Sequence, residues 1–527
     1  MRLKPAFGIL AGLFIFGLAG LLEAQTFKIS GTAGTYGEVY KMQGREARRD
    51  PTRGQVYIRP VVTVFNMSFP FEIMVSTEET RFRQPFNRFG INPRWKWVTF
   101  HAGDFNARVN SYISGVHIRG GGIDLEPKFF HINIVAGQSQ KAVPQSYFKR
   151  KLWAVQMGIG KRSRSHWSVA LLHAADDSNS IAATDNLTPQ ENLLLTTEFA
   201  LNLFHGKFRV GAEGAGSLHS LDERSAPIDT TLRNQMPEGY AKFFNSISSL
   251  FTPRLSTRAD YSYKLAGALR LRRVSLQTRY AWFGPGFMSF GVPYLVNDRT
   301  QFNLNARILA IPRKVTLSGR FNSYHDNLRK DKISTNRRNY WQTGVDLRPV
   351  ESLGMNLSFG KGTRIKEDSM RVTFEGTRLA ANLWKRLSFL GRRHTARLAY
   401  SYQNSKQWRG EYDATNATFR LESEWSSHLR GGFSAGTALT NYRGTKVQVS
   451  IFGLQFRHRG FGRRLATNFS TSFRNGKGYH SLSTQLSSRF RISRADGLRL
   501  ALRRLDYLRP SGTFHESILS LSVDHRF

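Results

Sequence analysis

The chain has no cysteine among its 527 residues. That removes a disulfide framework, a thiolate zinc site, an iron–sulfur cluster and a catalytic thiol. Acidic residues are scarce: 37 Asp and Glu face 77 Lys and Arg, a formal net charge of +40. Long apolar runs are missing too. Mean hydropathy is −0.40, and only residues 6–22 approach the roughly 20 apolar residues of a spanning helix. A polytopic helical membrane protein is therefore excluded. Disorder does not fit, because 40% of the residues are hydrophobic and 13% aromatic. What the chain has in quantity is Gly (46), Phe (39) and Tyr (18).

Arg2 and Lys4 precede the apolar run, and Glu23-Ala24-Gln25 follows it. A positive segment, an apolar segment and a small-residue cleavage position make a secretory signal peptide. It is expected over 1–24, with cleavage after Ala24; the alternative is an uncleaved anchor helix. Either way the body of the chain leaves the cytoplasm, which weakens nucleic acid as the partner of the positive charge.

The body reads with period two. Leu193, Leu195, Phe199, Leu201 and Leu203 share one parity, and Thr196, Glu198 and Asn202 the other. Beyond a tight turn at His205-Gly206, Phe208, Val210 and Ala212 alternate with Lys207, Arg209 and Glu213. Such alternation marks strands with two different faces. The segment 370–387 changes phase near Gly376, which predicts a β-bulge. Short turns alternate with long loops near 104–114, 140–149, 176–191, 219–254, 285–299, 326–338 and 405–412. This predicts an all-β fold: an antiparallel up-and-down transmembrane barrel with short periplasmic turns and long extracellular loops. The count is about 24 strands, in the range 22–26, because single-chain bacterial barrels close on even numbers. The barrel is expected over 54–527, with 25–53 a strand, a plug piece or a periplasmic stub.

The chain ends with Leu519, Leu521, Val523 and Phe527 on one parity. This resembles the last strand of Gram-negative outer-membrane barrels, whose terminal aromatic is read by the barrel-assembly machinery; His525 departs from that pattern. Residues Pro85 to Gly103, with Asn92-Pro93-Arg94-Trp95-Lys96-Trp97 at their centre, resemble the early region of a family of large outer-membrane barrels from Bacteroidota-like bacteria. The Gly120-Gly121-Gly122-Ile123-Asp124-Leu125 strand fits the same pattern. The resemblance covers residues 55–140 and implies fold and location, not chemistry.

In a barrel the apolar parity faces lipid. Trp167, Tyr263, Trp282, Trp341, Tyr402 and Trp425 are then candidates for aromatic girdles. The polar parity faces the lumen. It carries Arg209, Arg258, Arg270, Arg279, Arg307, Arg320, Arg348, Arg371, Arg397 and Arg420, with Lys207 and Lys264. Against them stand Glu198, Glu213, Asp260, Asp346, Glu375, Glu422, Glu424 and Asp524. Such a lumen either favours anions or braces itself through a lattice of arginine and carboxylate. The remaining positive charge falls on rims and loops, as in Arg81, Arg83, Arg88 and Arg94, where phosphorylated glycolipid attracts it.

Enzyme motifs fail. Gly158-Ile159-Gly160-Lys161-Arg162 lacks the first Gly and the hydroxyl of a phosphate loop, and no G-x-S-x-G or H-E-x-x-H occurs. No catalytic residue, cofactor or metal ligand is expected. Two functions are carried forward. One is an outer-membrane channel or transporter for small, anionic solutes, in which the 219–254 loop folds inward as a constriction. The other is a structural or assembly barrel for secretion or surface attachment, with a closed lumen. Expected partners are outer-membrane lipid and lipopolysaccharide, the barrel-assembly machinery and a periplasmic or surface protein, with no nucleic acid.

Overall fold

The computed structural model describes residues 27–527 apart from 79–86, 183, 185–186, 230–237, 293, 369–370, 408–409 and 510–511. The segment 1–24, expected as a signal peptide, lies outside the described residues, as do Arg81 and Arg83.

The period-two segments form one antiparallel sheet of 27 pieces. The first group is β1 (Phe27–Gln43), β2 (Thr52–Val64), β3 (Met67–Ser76), β4 (Arg88–Ile91), β5 (Arg94–Trp95), β6 (Val98–Asn110), β7 (Ile113–Leu125), β8 (Phe130–Gln140) and β9 (Lys149–Gly160). Then come β10 (His166–Asp177), β11 (Glu191–Leu203), β12 (Phe208–Ser220), β13 (Thr257–Arg270), β14 (Val274–Phe283), β15 (Arg299–Ile311), β16 (Val315–Asp326), β17 (Thr335–Val350) and β18 (Leu353–Glu367). The last are β19 (Arg371–Phe389), β20 (Arg392–Gln407), β21 (Gly410–Glu424), β22 (Leu429–Tyr442), β23 (Thr445–Gly460), β24 (Leu465–Gly476), β25 (Tyr479–Arg491), β26 (Asp496–Arg509) and β27 (Gly512–Arg526). β1 pairs with β27 from Thr32↔Arg526 to Gln43↔His515, which closes the barrel.

β4 and β5 both lie between β3 and β6, so they are one wall strand broken at Asn92-Pro93. Proline has no N–H for a ladder. With two of the 27 pieces sharing one position, the wall has 26 strands, the upper end of the expected range. The two beyond 24 are β1 and this broken strand, whose short pieces carry no readable alternation.

The turns 65–66, 126–129, 161–165 and 271–273 lie on one side, where no connection exceeds five residues. Long connections occupy the other side, but only as far as β17. From β18 onward that side too has connections of two or three residues. The segments 104–114 and 405–412, expected as long loops, are mostly strand: β6 runs to Asn110 and β7 starts at Ile113, and β20 runs to Gln407 and β21 starts at Gly410. The expected bulge near Gly376 is absent: β19 pairs with β18 and β20 without a register shift. Arg371 and Glu375 therefore share the parity of Leu379 and Leu383 and stand on the outer face, not the inner one. Nineteen residues of strand span about 60 Å, so the loop-side end of β19 outruns any apolar band and polar residues are tolerated on both faces.

The long 221–256 connection carries helix α1 (Glu238–Ile247). Its described part around Phe251 lies outside the barrel, not in the lumen. Phe251, 2% exposed, packs with Leu193, Leu218, Leu171 and Ile247. Leu171, Leu193 and Leu218 have the outward parity, so this loop covers the outer face of β10–β12.

Candidate functional site

Gly90, Gly103, Gly120 and Gly137 stand directly opposite one another across β4, β6, β7 and β8. A Cβ on any of them would overlap a neighbouring backbone carbonyl oxygen, at Asp104, Phe89, Ala136 and Arg119 respectively. Gly103 also has φ +85°, which glycine alone adopts without strain. The row is a crease. Beyond it β6 has no ladder to β4, and the β7–β8 ladder ends at Arg119↔Gln138. The hairpin from Asp104 to Ile118 leaves the wall here and enters the barrel. Side chains replace the missing ladder. The Asp104 carboxylate accepts from the Phe89 N–H (2.7 Å) and Arg119 Nε (2.9 Å), and lies 3.0 Å from His117 Nε2.

The hairpin tip is held by inward residues of distant strands. Tyr112 is 1% exposed. Its hydroxyl meets Ser262 Oγ at 3.1 Å, its ring meets Phe287 edge-on at 5.7 Å, and the Lys264 ammonium sits 3.6 Å from the ring centre. Ser111 hydrogen-bonds Glu213 and Lys264, and Asn110 donates to Thr196 Oγ1 (2.7 Å). The 284–298 connection straps the hairpin down. Ser289 Oγ donates to the Tyr112 carbonyl (2.6 Å), and the Ser114 N–H donates to Gly291 O (2.9 Å). The strap is anchored in turn to the wall, where Ser217 Oγ donates to Met288 O (2.6 Å) and Asp260 accepts from the Gly286 N–H (2.8 Å).

Between them lies a dry core inside the barrel. The hairpin gives Phe105, Val109, Ile113, Val116 and Ile118; the strap gives Phe287; the wall gives Val135, Leu152, Leu172 and Leu194. Full burial of each large side chain contributes about 1.5–3 kcal/mol. The signal for this core was in the sequence. Val169 to Leu172 and Leu193 to Leu195 are apolar on both parities, as in strands buried on both faces.

The core fills only the side of the lumen walled by β8–β14. Of the inward residues expected from sequence, Arg209, Arg258, Arg270, Arg279, Glu198, Glu213 and Asp260 stand on β11–β14. There Glu213 and Asp260 are plug anchors rather than wet lumen charges. Arg307, Arg320, Arg348, Arg397, Arg420 and Glu422 stand on the inner face of β15–β21. From β15 round to β27 the inner face is mostly half-exposed or exposed. Here arginines face each other directly across strands: Arg338↔Arg364, Arg397↔Arg420, Arg430↔Arg457 and Arg489↔Arg499. Cross-strand partners share a face, and like charges so placed destabilise a sheet. Among the described residues Arg397, Arg457, Arg489 and Arg499 have no carboxylate within 4.0 Å. A bracing lattice would have neutralised them.

The girdle candidates are outer-face aromatics at different heights. Trp167 is 48% exposed; Trp425, packed on Phe456 at 5.7 Å, follows β21 at the short-turn side. Tyr263 stacks on Trp282 (5.8 Å), Trp341 packs on Phe359 (5.1 Å), and the Tyr402 hydroxyl donates to Asp413 (3.1 Å). At the C-terminus Leu519, Leu521 and Val523 point outward, and Phe527 and Gly31 exchange backbone hydrogen bonds of 2.8 and 3.2 Å.

At the loop side, Glu223 follows β12 beside Asp176, Glu191, Arg254 and Arg150. Burial, then the Glu191 and Asp176 carboxylates, push its carboxyl up from 4.5 to about 7. An acid raised on folding binds more protons folded than unfolded, so its packing weakens as pH rises. We expect the 221–256 loop to loosen progressively between pH 4.5 and about 7 and to change no further above that. Limited proteolysis across pH checks this; Glu223→Gln should flatten the profile.

The fold and its interior thus define a closed 26-stranded barrel with an eccentric lumen, plugged on one side and arginine-lined on the other. No family model and no curated protein matches the chain. Among solved structures it is similar to the outer membrane protein OpdK from Pseudomonas aeruginosa, at TM-score 0.36 and 12% identity over 66% of this chain and 96% of that one. It is also similar to the P pilus usher PapC translocation pore, at TM-score 0.38 and 10% identity over 94% and 99%. An E. coli P pilus tip assembly intermediate, PapC-PapD-PapK-PapG, gives TM-score 0.47 and 10% identity over 94% and 60%. At these scores none of those proteins' functions carries across.

Proposed function

We propose that the chain is an outer-membrane channel passing small anionic solutes along the arginine-lined side of its lumen. An apolar outer face and a sheet with no free edge are what hydrocarbon demands. Short turns on one side favour a periplasmic position for that side and an external one for the long loops. Excess charge on rims and loops then meets the phosphates of lipopolysaccharide, and the Leu519–Phe527 strand serves the assembly machinery. The observation that carries solute choice is that Arg397, Arg457, Arg489 and Arg499 face other arginines with no carboxylate within 4.0 Å among the described residues. Rings of Arg or Lys favour anions. In planar bilayers under a KCl gradient, the purified barrel should give a reversal potential of anion-selective sign. A cation-selective sign would refute the solute class.

One observation favours a second reading, a secretion or attachment barrel with a protein partner. The hairpin and strap are packed as a permanent element rather than as a loose loop. Absence of conductance in a folded barrel, with one stoichiometric partner crosslinked in membranes, would favour that reading.

A further inference from the structure

On the open side of the lumen, near the short-turn rim, three cross-strand rows form a lattice. The first is Ser388↔Arg393↔Glu424↔Arg430↔Arg457. The second is Arg386↔Thr395↔Glu422↔Gly432↔Gln455, and the third Trp384↔Arg397↔Arg420↔Ser434↔Gly453. Arginine dominates, yet the middle of the lattice is small. Gly432 puts no side chain there, and a recess of 710 Å³ opens. Arg386, Arg393, Arg397, Arg430 and Arg457 line it, with Trp384. Two carboxylates, Glu422 and Glu424, share the lining.

Five guanidiniums against two carboxylates leave an excess of positive charge. Their pairing is uneven. Arg430 is held by Glu424 at 2.8 Å. Arg386 lies over the Trp384 ring, 5.3 Å from its centre, and that ring sits against Gly354, where a Cβ would come within 2.6 Å of the indole nitrogen. Arg386 is thus held against an aromatic face, with no carboxylate within 4.0 Å among the described residues. Arg393, Arg397 and Arg457 have no carboxylate within 4.0 Å among the described residues, and they surround the hollow. Guanidinium forks are matched in shape and charge by carboxylate and phosphate oxygens. A volume of this size suits a small organic molecule.

We infer that this recess is a binding site for a multivalent oxyanion of small-molecule size, a phosphoester or a polycarboxylate. A monovalent anion satisfies one fork and leaves the others facing each other; two or more charged groups on one molecule relieve several at once. Glu424 competes with the ligand for Arg430. The site rests on the channel reading only in that solute must reach the lumen.

The test is titration calorimetry on the folded barrel in detergent at low salt, with pyrophosphate, citrate and acetate. One saturable site for pyrophosphate or citrate is expected, with acetate far weaker; whichever of the two binds tighter separates phosphoester from polycarboxylate. Arg393→Gln with Arg397→Gln should weaken it about ten-fold or more. Arg397→Lys keeps the charge but loses the fork and should fall between. Glu424→Gln should tighten binding, an effect in the opposite direction that misfolding cannot imitate. Arg474→Gln with Arg503→Gln removes the same charge elsewhere on the inner face. Equal weakening by both double variants, or no saturable binding, overturns the site. Bilayer recordings separate the two proposals. Binding without conductance refutes the channel and leaves the site, whereas anion-selective conductance without saturable binding refutes the site alone.

Discussion

Gly103→Val should yield a barrel that either fails to fold or folds with its hairpin out of the lumen and a much larger conductance. Two effects combine at this position. The backbone lies at φ +85°, where a β-branched residue is strained by about 1–3 kcal/mol. The new Cβ also overlaps the Phe89 carbonyl oxygen across the crease, so the strands must separate. Gly120→Val should act alike through Ala136 O. Gly121→Ala is the control, because its nearest neighbour is His101 O at 3.7 Å; it should fold and conduct as the parent does. The readouts are heat-modifiable gel mobility for folding and single-channel conductance for the lumen. If the valine variants conduct like the parent, the hairpin is not the constriction.

Replacing Arg397, Arg420, Arg489 and Arg499 together by Glu should reverse the sign of the reversal potential under a salt gradient. The four residues make two of the facing pairs, and the change moves eight charges on the open side of the lumen. The pairs themselves stay like-charged, so the sheet exchanges one repulsion for another of similar size and should still fold. Replacing Arg258, Arg270 and Arg279, on the inner face of the plugged side, should move selectivity much less. Equal sensitivity on both sides would mean that ions do not follow the β15–β27 wall.

Much of the barrel was legible from alternation alone, because an apolar outer face and a polar interior impose a period of two on every wall strand. The segments from 94 to 527 hold the expected 22 strands. Where the alternation failed, another force was acting. Phe27–Gln43 is rich in Gly and mixed on both faces, and Arg88–Trp95 is broken by Pro93. The β19 phase change looked like a bulge because apolar residues switch parity at Gly376, yet the ladder runs straight. There the apolar pattern of the outer face ends, not the register. The loop at 221–256 was long enough to enter the lumen, but Phe251 found apolar partners outside first.

By itself the sequence determined the closed antiparallel sheet, its two faces and the inward placement of most of its arginines, since these follow from local alternation. Only the tertiary structure decided which part of the lumen is filled. That depends on four glycines spread from 90 to 137 meeting in one row, and on a hairpin tip reaching residues some 150 positions away. Neither is a local property of the chain. The same fold that holds Glu213 and Asp260 as anchors leaves Arg397 and Arg499 facing like charges, so residues of one inward pattern end with opposite roles.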